Sequence, residues 1–168
     1  MVVGWGPFGH TGARSPVAKF PYCEAALALP WMEIRKNEAC PVFTHASSDQ
    51  RPTWLNKPGE SDESGQINAF FRWKSVKDTP TVFAMRLWLE GAASDKTPPN
   101  APKESVADIT LRRLQKFQVV ADKSYEWELV REGKSLASGV ISPDPAGLLT
   151  IPKATITVTP VELRVRPR

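Results

Sequence analysis

The chain is short of the residues that most often announce a function. It holds two cysteines and two histidines in 168 residues. Cys23, Cys40, His10 and His45 do not stand at the spacing of any zinc signature, which needs ligand pairs a few residues apart. No G-x-S-x-G elbow occurs, so the nucleophile turn of an α/β-hydrolase is not in this sequence. No run reaches the ~18 apolar residues that a membrane helix needs. The opening residues have neither the basic start nor the continuous apolar core of a signal peptide. The expected location is therefore the cytoplasm, or an exported one if these residues continue a longer chain. A net charge of +4 is scattered rather than blocked. The densest basic stretch, Glu162-Leu-Arg-Val-Arg-Pro-Arg168, alternates in sign and polarity and reads as the outer face of a strand. Neither a nucleic acid nor a membrane is expected as a partner.

Helix signals are also scarce. Sixteen prolines punctuate the chain at intervals that helices do not tolerate. One helix is expected, running from Tyr22 through the alanines and leucines that follow, with Pro21 ahead of it and Pro30 closing it. The chain divides into three parts. Residues 1–48 form an N-terminal arm with this short helix. Residues 49–65 are polar, with proline, glycine and acids, and read as a loop or linker. Residues 66–168 form a domain of a different period.

In that third part the apolar residues recur every second position. Phe71 and Trp73 alternate with Arg72 and Lys74; Phe83, Met85, Leu87 and Leu89 share one face; Tyr125, Trp127 and Leu129 alternate with Glu126 and Glu128; Val161, Leu163 and Val165 alternate with Glu162, Arg164 and Arg166. This is the pattern of half-buried antiparallel strands. Glu132-Gly133 marks a tight hairpin, and Pro143-Asp-Pro-Ala-Gly147 a longer turn. About eight strands at short, regular spacing predict an all-β fold, an antiparallel β-sandwich of immunoglobulin or fibronectin-III type. Its expected core includes Phe71, Trp73, Phe83, Met85, Leu87, Trp127, Leu149, Ile156 and Leu163.

Candidate chemistry is sparse and dispersed. His10 sits in the glycine-rich turn Gly-Pro-Phe-Gly-His-Thr-Gly, where an imidazole could act as a general base. His45, with Ser47, Ser48 and Asp49, has the residue types of a Ser-His-Asp set, but triad members converge from different elements rather than from neighbouring positions. Glu60, Asp62 and Glu63 offer carboxylates to a hard cation such as calcium, without the spacing of an EF-hand; no cofactor is otherwise expected. Cys23 opens the expected helix, where the dipole lowers a thiol pKa; with Cys40 it forms either a disulfide worth about 3 kcal/mol or a pair of free thiols. Trp88 and Arg86 fall on the outer face of their strand, where an indole can stack on a sugar ring or a partner.

The phrases ASSDQRPTW, SGQINAFFRWK, VFAMRLWLE, ADITLRRLQKF, YEWELV and SGVISPDPAGLLTIPK resemble the C-terminal β-sandwich of bacterial multidomain esterase-like proteins, which follows an α/β-hydrolase domain. The resemblance spans about Pro41 to Arg168. VVGWGPFGHTG in turn resembles the end of the hydrolase domain, where a last strand leads to the triad histidine. The resemblance implies that His10 is that histidine and that its serine and acid lie upstream of Met1, since the order there is nucleophile, acid, histidine. The expected function is thus an accessory, non-catalytic module that packs on a hydrolase domain or on a second copy of itself. Two rivals stand beside it. One is a small stand-alone hydrolase of esters or lactones using His10 or His45, with or without a metal. The other is a carbohydrate-binding module presenting Trp88 and Arg86.

Overall fold

The computed structural model describes residues 37–48, 70–89 and 102–168. These form eight strands: β1 (Cys40–Thr44), β2 (Phe71–Asp78), β3 (Phe83–Leu89), β4 (Glu104–Arg112), β5 (Tyr125–Arg131), β6 (Lys134–Ile141), β7 (Thr150–Thr157) and β8 (Val161–Pro167). There is no helix among the described residues. The helix expected from Tyr22 and the loop expected over 49–65 lie outside them. One strand falls where none was expected: Cys40–Thr44, within the stretch read as an arm, pairs along its whole length with β4.

The strands build two antiparallel sheets. The smaller has the order β1-β4-β7, the larger β2-β3-β8-β5-β6. β8 is central in the larger sheet, joining β3 through pairs such as Met85 with Leu163 and β5 through pairs such as Leu129 with Leu163. The inward residues of both sheets close one core. Phe83, Met85, Leu87, Tyr125, Leu129 and Leu163 come from the larger sheet, and Ile109, Ile151 and Ile156 from the smaller; all are fully buried. Each such side chain contributes roughly 1.5–3 kcal/mol by leaving water. Phe43 of β1 stacks on Phe71 of β2 with ring centroids 4.4 Å apart, pinning one end of the smaller sheet to the larger. Of the core expected from the alternation, all are buried except Trp73, which is half-buried beside Phe43 at 6.3 Å.

The turns follow local chemistry. Glu132 and Gly133 both take positive φ, 49° and 77°, which is the two-residue turn that matches the twist of a hairpin. In the turn after β6, Asp144 Oδ1 accepts the N–H groups of Ala146 and Leu148, and Gly147 takes φ 75°. Cys40 is buried and unpaired in any disulfide, and burial pushes its thiol pKa up, opposite to what a reactive thiol needs.

Candidate functional site

The one His–carboxylate constellation among the described residues is built where β1, β4 and β7 meet. β7 is bulged against β4: Ala107 pairs with Ala154 and Ile109 with Ile151, so Pro152 and Lys153 together oppose Asp108. Lys153 takes φ 49° there. A bulge detaches a backbone N–H from the ladder. Asp108 satisfies it, its Oδ1 accepting the Lys153 N–H at 2.8 Å. Its other oxygen, Oδ2, accepts from His45 Nδ1 at 2.8 Å. His45 follows the end of β1 with φ 50°, a left-handed turn that carries its ring toward Asp108.

A carboxylate only accepts, so the bond fixes the imidazole proton on Nδ1. The hydrogen bond from Lys153, with that from His45 second, holds the Asp108 carboxyl below the usual carboxylate range. The ring of His45 is 83% exposed and the side chain of Asp108 24% exposed. This is the Asp–His half of a triad in geometry, placed at the surface instead of in a cleft.

Of the two serines beside it, Ser47 is occupied, while Ser48 Oγ is buried with no hydrogen-bond partner among the described residues. Ser47 Oγ accepts the Val106 N–H at 2.9 Å and lies 3.4 Å from Ser105 Oγ, while Ser47 N–H donates to the Val106 carbonyl at 2.8 Å. These bonds extend the β1–β4 pairing past Thr44. The acid that His45 meets is thus Asp108; Asp49, its neighbour in sequence, lies outside the described residues. Asp108 had no distinguishing signal in the sequence: an acid at the outward position between Ala107 and Ile109 is what a half-buried strand carries, as Glu126 and Glu128 do on β5.

Arg86 and Trp88 are on the outer face of β3, as the alternation implies. Arg86 is exposed, opposite Lys74 on one side and Glu162 on the other. Trp88 is half-buried and pairs with Arg72. Arg72 is buried although its position is on that outer face, and its Nη1 donates to the Phe71 carbonyl at 2.9 Å. His10, Cys23, Glu60, Asp62 and Glu63 lie outside the described residues. Among the described residues no three His, Cys, Asp or Glu side chains converge to hold a metal ion, and no helix is long and apolar enough to cross a membrane.

The fold defines the class: an all-β protein of two packed antiparallel sheets. The chain matches no protein family, and no curated protein and no solved structure is significantly similar to it.

Proposed function

We propose that this chain is an accessory, non-catalytic sandwich module of the immunoglobulin type, associated with an ester hydrolase. The observation that carries the reading is what its acids do. Asp78, Asp108 and Asp144 each commit at least one carboxylate oxygen to backbone N–H groups of bulges, turns and loops. They are scaffold carboxylates, and His45 is held by one of them as a clasp between the end of β1 and the β4–β7 bulge.

The strand pairings support the immunoglobulin type. In that fold A and E flank B in one sheet, while C pairs F in the other, with C′ beyond C and G beyond F. Here β1 and β7 flank β4, β5 pairs β8, and β6 lies beyond β5. The G position, next to β8, is filled by β3 from the preceding β2–β3 hairpin. Trp127 occupies strand C, where that fold keeps its core tryptophan.

One observation favours the stand-alone hydrolase: the His45–Asp108 bond leaves Nε2 to act as a base. The two readings separate in one experiment. The purified chain is assayed on an activated aryl ester and a lactone, with and without chelator. We expect no hydrolysis above buffer. Turnover that disappears in His45→Ala or His10→Ala overturns the module reading. The second arm reads the DNA upstream of Met1 and in the adjoining genes. A hydrolase domain with a G-x-S-x-G elbow supports the association, and the lack of one overturns it.

A further inference from the structure

The four edge strands of the sandwich are not alike. β7 carries Pro152 and the Lys153 bulge. β1 is five residues long and contains Pro41. β2 is bulged at Val76 and bears Lys74 and Lys77. Prolines, bulges, charges and brevity are the devices that stop an edge from recruiting another strand. β6 lacks them over most of its length. A register shift sits at Leu136, near the hairpin, and from Ala137 to Ile141 the ladder to β5 is regular. That stretch, Ala-Ser-Gly-Val-Ile, has no proline and no charge, and no strand among the described residues pairs with its outer edge. Leu136 and Val140 are each 50% exposed and stand two residues either side of Ser138.

We propose that β6 is a dimerisation strand, pairing antiparallel with β6 of a second copy about a twofold axis through Ser138. The two larger sheets then become one continuous sheet. In this register Leu136 lies opposite Val140 of the second copy, and Val140 opposite its Leu136. Two exposed apolar residues cover each other twice, because a twofold interface repeats every contact. Ala137 meets Gly139, so nothing bulky intrudes. Lys134 is the only charge on β6. It lies on the hairpin side of the Leu136 bulge, outside the regular stretch that pairs with the second copy, so no charge is buried against its own twin. A register centred on Gly139 would leave both apolar residues facing serines. The pattern of the strand thus selects a copy of itself as the occupant, and selects the register. This inference does not depend on the hydrolase association.

The test uses the full chain in light scattering and sedimentation across a concentration series. The wild type passes from one chain to two as concentration rises, and the amides within residues 136–141 that face away from β5 gain protection from exchange in step. Leu136→Glu and Val140→Lys each weaken the dimer roughly tenfold or more. The double variant L136E/V140K recovers it, since the new carboxylate of one copy faces the new ammonium of the other at both ends. Circular dichroism checks that each variant remains folded. A wild type that stays monomeric throughout, a dimer indifferent to the single substitutions, or a double variant no tighter than the singles overturns the proposal.

Discussion

Asp108 shows how one side chain can be fully committed to structure and still resemble chemistry. Its two oxygens hold the Lys153 N–H and the His45 ring. Asp108→Ala removes both acceptors and should cost about 1–2 kcal/mol at neutral pH in urea unfolding. The pH dependence follows from the direction of its pKa. The folded value is depressed below the unfolded one, near 4 for a free aspartate. The stabilisation is therefore present above about pH 4 and is lost as pH falls through the folded value. The gap between wild type and variant should narrow as the pH falls below about 4; a gap that does not narrow with acidification would assign it to packing instead. At Gly139 the constraint is steric. A Cβ there would sit 2.8 Å from Trp127 Nε1, so the indole lies directly on the β6 backbone. Gly139→Ala should lower stability by about 1–3 kcal/mol and shift the tryptophan emission as the ring is displaced.

At the scale of elements, the strand β2 ends in a device that organises a loop far along the chain. Asp78 accepts the N–H groups of Gln115, Lys116 and Phe117, and Tyr125 OH accepts the Val120 N–H while donating to the Gln118 carbonyl. Together they fix the connection from β4 to β5 without regular structure. Asp78→Ala should speed exchange of the Gln115, Lys116 and Phe117 amides and cost about 1–2 kcal/mol, leaving β5 and β8 protected. The strands themselves were legible because a period of two survives any tertiary context that keeps one face buried. So were the Glu132-Gly133 and Asp144 turns, whose chemistry is local. β1 was not, because Cys-Pro-Val-Phe-Thr is short, holds a proline and shows its strand character only once β4 is beside it. The His45–Asp108 bond was not either. It joins residues 63 apart in sequence through a bulge that no local pattern announces. His45 alone was visible; its partner occupies an outward strand position where an acid is ordinary.

For the whole molecule, the larger sheet is held together at its middle by the strand that comes last in the described order. β2–β3 and β5–β6 are two hairpins formed from neighbouring segments, and among the described residues β8 is the strand whose ladders join them. Local hairpins form quickly, whereas pairing over long separations must first meet the cost of closing the intervening loop. On the ribosome, the consequence is a delay built into synthesis. Both hairpins are complete, each with one raw inner edge, well before Val161–Pro167 exists to bridge them. A nascent chain must keep those edges apart from each other and from its neighbours until β8 slides between, and the sandwich closes only then.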